Sequence, residues 1–269
     1  MSAFVLQRFR RAPRHSFRGF LVWSLIAMSQ PGYADGIPVA EHVLGDGPGK
    51  YFLIGDTAAP PDGGFGLVVV LPGGDGSADF LPFVTNIARQ AVPSGYVVAQ
   101  PVAIEWREGQ SERVVWPTRR SRVPGMAFTT EQYVAAVIDD VTERVALHPK
   151  KRLLLAWSSG GPAAYAVMVQ KESPIAGAYV AMSVFKSREL GNLRFVRGRA
   201  FRIEHSPTDF IPIRMAEAAR DELSKAGASV DYVTYAGGHG WHGAIWDRLS
   251  AGFAWLDQQV TAVAEADSP

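Results

Sequence analysis

Residues 152–161 read Arg152-Leu153-Leu154-Leu155-Ala156-Trp157-Ser158-Ser159-Gly160-Gly161. An apolar run this short, without polar alternation and stopped by serine and glycine, predicts a strand buried on both faces. Ser159 to Gln170 has the composition of a helix. A strand that passes directly into a helix leaves Ser158 on a sharp turn. Small residues two before it (Ala156) and two after it (Gly160) let the backbones pass without collision, so the hydroxyl projects above the sheet. Ser159 is the rival, but two residues before it stands Trp157, which would crowd the turn. The bland alternative for both serines is a helix N-terminus capped by hydroxyls.

Working outward, the chain from Tyr51 alternates strand-like and helix-like runs. Gly66 to Leu71 is a continuous apolar strand halted by Pro72-Gly73-Gly74, and further strands are expected at Tyr96–Val102, Ala176–Met182, Ala200–His205 and Ser229–Tyr235. Between them, Ser77 is placed to cap a helix whose Phe80, Val84, Ile87, Ala88 and Ala91 share a face. Thr129 and Gln132 have capping-box spacing ahead of an apolar stripe through Val134, Val137, Ile138, Val141 and Val145. Helices are also expected over Pro212–Ala226 and near Ala244–Val263. This order predicts an α/β fold, with a mostly parallel central sheet and helices on both faces.

The chain has 269 residues, 47% hydrophobic and 20% charged, which suits one globular catalytic domain rather than two. Residues 1–34 differ from the rest. Arg8, Arg10, Arg11, Arg14 and Arg18 precede the apolar run Gly19–Met28, and no acid occurs before Asp35. That charge order predicts an export signal, cleaved after Gly32-Tyr33-Ala34, leaving residues 35–269 as a single domain without a membrane span and placing it in the periplasm or outside the cell. An uncleaved anchor and a basic cytoplasmic arm are the alternatives. Removal takes five of the 27 basic residues and none of the 26 acids, so the net charge of +1 becomes −4. A mildly acidic domain lacks the basic stripe of a nucleic-acid binder. With no cysteine, a disulfide framework, a thiol nucleophile and thiolate metal sites are excluded.

A serine nucleophile needs a base and a carboxylate to orient it. Gly237-Gly238-His239-Gly240-Trp241-His242 follows the last expected strand, and its glycines would let a loop carry an imidazole to the serine. His239 lies closer to the strand end and between glycines, whereas His242 reads as the start of a helix. In His205-Ser206-Pro207-Thr208-Asp209, after another expected strand, Asp209 completes the order Ser, Asp, His. Asp221 and Asp231 fall in the same interval but read as solvated charges on a helix face and beside a strand. An oxyanion needs preset backbone donors. The amide of Ser159 is one, and Pro72-Gly73-Gly74-Asp75-Gly76 supplies the other, with Gly74 first and Gly73 next; an ordinary glycine turn is the alternative.

Together these motifs resemble the α/β-hydrolase superfamily over residues 50–260, closest in size and spacing to phospholipase/carboxylesterase and dienelactone-hydrolase-like serine esterases. The resemblance implies the α/β-hydrolase fold with about eight strands, a Ser-His-Asp triad, no cofactor or metal, and hydrolysis of a small-molecule carboxylic ester. Two departures from the family pattern are Pro72 before the oxyanion glycines and Ala156 in place of the usual elbow glycine. The same triad also serves serine peptidases and acyltransferases, and a non-catalytic binding protein of this fold is a further alternative. Residues 104–126 keep no period and hold five arginines and two tryptophans. They read as a long loop whose Trp106, Trp116, Arg119 and Arg120 line the substrate entrance, or as a solvated loop held down by its tryptophans.

Overall fold

The unbroken apolar character of residues 153–157 has its explanation at the centre of the sheet. In the computed structural model, which describes residues 32–34, 36–111 and 114–266, nine strands are found among the described residues. They are β1 (Gly32–Ala34), β2 (Ile37–Val43), β3 (Lys50–Ile54), β4 (Phe65–Leu71), β5 (Tyr96–Pro101), β6 (Leu147–Trp157), β7 (Gly177–Ala181), β8 (Ala200–His205) and β9 (Ser229–Thr234). Their order is β1-β2-β3-β5-β4-β6-β7-β8-β9, antiparallel from β1 to β5 and parallel from β5 to β9. β6 therefore has β4 on one side and β7 on the other. Ser158, Gly73-Gly74, Asp209 and His239 all follow the carboxyl ends of parallel strands, so the sheet delivers them to one edge.

Both faces are covered. Leu153 and Leu155 point to one side with Val68 and Val70, where α1 (Leu81–Gln90) and α5 (Ile245–Ala266) pack. Leu154 and Ala156 point to the other with Leu67, Val69 and Leu71, under α2 (Thr130–Arg144), α3 (Gly161–Met168) and α4 (Arg214–Lys225). This alternation is the period of two that a strand imposes, here apolar on both sides. Leu249, Phe253, Leu256 and Val260 form the buried stripe of α5. Each such side chain contributes about 1.5–3 kcal/mol by leaving water.

The capping box forms as expected: Thr129 Oγ1 accepts from Gln132 N and the Gln132 side chain accepts from Thr129 N. Ser77 does not cap by its hydroxyl. Its N–H donates to Asp75 Oδ1 at 3.0 Å, and a 3-10 turn at Ala78–Phe80 delays α1 to Leu81. The helix after Ser158 likewise starts as a 3-10 turn, Ser158–Gly160, and α3 ends at Met168. β1 and β2 were not anticipated, because β2 is an outer strand whose seven residues mix half-buried and exposed positions and carry no clean alternation. Asp231 is no solvated charge. It pairs with Arg202 across β8 and β9, whereas Asp221 is exposed and pairs with its neighbour Arg220. Between β5 and α2, the described residues form neither helix nor strand. The expected export signal, apart from Gly32–Ala34, lies outside the described residues. Among the described residues no helix is long and apolar enough to cross a membrane.

Candidate active site

The turn at Ser158 is forced by packing. Its φ of 51° lies in the left-handed region, which costs a non-glycine residue on the order of 1–3 kcal/mol and persists only where the surroundings over-determine it. Here they do. The Ser158 carbonyl accepts from Ser183 Oγ at 2.7 Å and from the Gly161 amide. A Cβ on Gly160 would stand 2.3 Å from the Leu71 carbonyl oxygen, so the position two after the serine admits glycine alone. The position two before is less tight: Ala156 sits fully buried in β6, its methyl part of the core. That explains why alanine replaces the usual elbow glycine on one side and not on the other. Trp157 faces away into an edge-on aromatic cluster with Phe80, Phe83 and Trp241.

Ser158, His239 and Asp209 come together. The Ser158 hydroxyl lies 2.9 Å from His239 Nε2, and His239 Nδ1 lies 3.0 and 2.9 Å from the two Asp209 carboxylate oxygens. The Asp209 side chain is fully buried and also accepts from the Ile211 amide at 2.8 Å. A buried carboxylate can only accept, so it selects the tautomer with hydrogen on Nδ1 and leaves the Nε2 lone pair facing the serine hydroxyl. His242 is exposed, 3.4 Å from the His239 carbonyl, and lies ahead of α5 rather than within it. His205 is buried beneath Asp209, its Nε2 donating to the Ile211 carbonyl at 2.8 Å.

Two side chains that sequence reasoning missed hold the histidine loop, and a third backs one of them. The Tyr235 hydroxyl reaches the carbonyls of Gly238 and Gly240, at 3.0 and 2.8 Å, on either side of His239. Ser206 Oγ, next to β8, accepts from the Gly238 amide at 3.1 Å. Arg248 of α5 lies over the Tyr235 ring and donates to the buried Glu204 at 2.9 Å. Burial, with the carboxylates of Asp209 and Glu204, pushes the Tyr235 phenol up to about 12, so it stays a protonated donor. A tyrosine at the end of a strand gives no sign in the sequence that it will turn back onto the loop it precedes.

The loop after β4 runs beside the serine: a Cβ on Gly73 would lie 2.9 Å from Ser158 Cβ. Gly74, at φ +58°, turns its carbonyl to accept from Ser159 Oγ at 2.8 Å. Gly74 and Ser159 together open on a cavity of about 350 Å³, walled by Trp116, Pro162, Tyr165 and Leu190. Of the four entrance residues expected from the sequence, Trp116 and Arg120 line this cavity. The other two do not. Trp106 packs edge-on against Phe128, with ring centroids 5.0 Å apart, and Arg119 borders a neighbouring hollow, its amide held by Glu131. Trp116 is buried, and its indole N–H donates to the Pro72 carbonyl at 2.9 Å. The wall contributed by Tyr165, Lys186 and Leu190 was not foreseen, since these residues lie on α3 and after β7, away from any motif. Among the described residues no cluster of histidine, aspartate and glutamate has the makings of a metal site.

The chain matches no protein-family model and no curated protein by sequence. Its fold is that of solved α/β hydrolases. MGS-M1, an α/β-hydrolase enzyme from a Medee basin deep-sea metagenome library, superposes with a TM-score of 0.59 at 13% identity, covering 84% of this chain and 98% of that one. A Bacillus cereus carboxylesterase gives 0.57 at 17% identity, over 80% and 96% of the two chains. Thermogutta terrifontis esterase 2, phosphorylated by paraoxon, gives 0.59 at 16% identity, over 85% and 95%.

Proposed function

We propose that the chain is a serine hydrolase that cleaves a carboxylic ester through an acyl-enzyme. The observation that carries this reading is the unbroken contact from Ser158 Oγ to His239 Nε2 and from His239 Nδ1 to the buried Asp209. In the first half-reaction Ser158 Oγ attacks the ester carbonyl carbon while its proton passes to His239 Nε2. Asp209 holds the resulting imidazolium without taking its proton. The carbonyl oxygen becomes an oxyanion, for which the Gly74 and Ser159 amides are the candidate donors, both residues bordering the cavity. The imidazolium then protonates the alkoxy oxygen, the C–O bond breaks and the alcohol departs. Water, deprotonated by His239, releases the acid and restores the serine.

An ester is favoured over a peptide because a cavity of about 350 Å³ with the mixed walls of a small-molecule site adjoins the elbow at Ser159. The esterase neighbours of the same fold point the same way, one of them bearing an organophosphate. Labelling with a fluorophosphonate tests the reading. The probe should modify Ser158, and Ser158→Ala should lose the label and at least about 10⁴-fold in kcat. Labelling at Ser159, or full activity in a folded Ser158→Ala, would overturn it. A panel of p-nitrophenyl esters and aminoacyl anilides separates esterase from peptidase. Export rests on residues 1–34 alone, and mass spectrometry of the mature N-terminus decides it.

A further inference from the structure

Phe210 directly follows the acid of the triad, yet its side chain is 77% exposed, the most exposed large apolar residue described. Single exposed apolar residues are ordinary on protein surfaces. What sets this one apart is its neighbour: the phenyl centroid lies 4.3 Å from that of the His239 imidazole, with the rings inclined at 38°. The backbone that carries the ring is held, because the Ile211 amide and the Asp209 carboxylate close a tight turn across Phe210.

The chemistry of the site then sorts the two halves of an ester. To protonate the leaving oxygen, His239 Nε2 must come within about 3 Å of it, so the first atoms of the alcohol lie against the imidazole edge. The space left for the acyl half is the cavity bordered by Gly74, Ser159 and Trp116, which adjoins the nucleophile through Ser159 and whose walls include none of Ser158, His239 and Phe210. From this geometry we propose that Phe210 is the platform for the leaving group, and that it favours esters of apolar, above all aromatic, alcohols. The inference rests on the acyl-enzyme reading above. A benzyl or phenylalkyl group placed at the imidazole meets the exposed phenyl at offset-stacked or edge-on range, and both rings leave water on contact.

The test varies the alcohol while the acyl group stays the same. Benzyl acetate and ethyl acetate are compared as the ratio of their kcat/KM values in the wild type and in Phe210→Ala, Phe210→Leu and Phe210→Tyr, with fluorophosphonate labelling of Ser158 run on each variant. Phe210→Ala should lower the benzyl-to-ethyl ratio about 3- to 10-fold, mainly through KM, Phe210→Leu should lower it less, and Phe210→Tyr should restore it. A ratio that stays constant while both esters slow together would make the ring a support for His239 and overturn the platform. A ratio unchanged in all variants would overturn it equally. Absence of Ser158 labelling in the wild type would take down the acyl-enzyme reading itself, and the platform with it.

Discussion

Ser158 and His239 meet at 2.9 Å, but they are held there by opposite means. The serine is fixed by backbone. A left-handed residue, a glycine that tolerates no Cβ and a carbonyl bound from two sides leave the turn no alternative. The histidine rides on a loop with glycines on both sides, at φ +78° and +123°, and is fixed by side chains reaching in from Tyr235 and Ser206. A backbone-held group fails when volume is added. A loop held by side chains fails when a hydroxyl is removed.

Four substitutions probe that contrast. Asp209→Asn leaves the fold but puts an NH2 donor in place of one acceptor oxygen, so that the wrong imidazole tautomer is favoured, and should lower kcat by roughly 10³- to 10⁴-fold in steady-state ester hydrolysis. Gly160→Ala attacks the backbone-held side. With the new methyl 2.3 Å from the Leu71 oxygen, strain of about 1–3 kcal/mol should lower Tm in calorimetry, and displacement of Ser158 should reduce kcat on the order of 10²-fold. A mutant with unchanged Tm and activity would show that the elbow yields, and would end the contrast.

Tyr235→Phe attacks the other side. Loss of one hydroxyl serving two carbonyls should reduce kcat by about 3- to 10-fold with KM unchanged, while Tm moves little. Because the phenol is pushed up to about 12, it donates in both the neutral and mildly alkaline range, and the deficit should be constant there. A deficit that varies with pH would mean that the loop reports another titration. The smallest effect belongs to Arg120→Ala. Arg120 is exposed at the cavity rim, so its loss should raise KM for esters of anionic acids by about 2- to 5-fold and leave neutral esters alone.

The same contrast explains what could be read in advance. Ser158, Gly160 and the β4 loop were legible because backbone crowding dictates residue type locally, and a small-residue pattern beside an apolar strand records it. The order of strands and helices was legible for a related reason: β4 and the Leu153–Trp157 half of β6 are buried on both faces and so are apolar there without interruption. Tyr235, Ser206 and Ser183 were not. Their roles depend on loops distant in sequence meeting at the sheet edge, and any short polar or aromatic residue would look the same in the sequence. β2 was missed because none of its seven residues is buried, so neither face had to be consistently apolar. In the long loop, composition singled out both tryptophans, but only the fold determines that Trp116 turns inward to Pro72 while Trp106 packs on Phe128.

Trp116 has one face on the cavity, while its indole N–H grips the carbonyl of Pro72, one residue before the glycines that run past Ser158. On the proposed reading, an acyl group too bulky for the cavity would press on Trp116 and, through its bond to Pro72, on the glycine loop beside Ser158. Size selection would then show up in turnover more than in occupancy. Oversized acids would bind and inhibit.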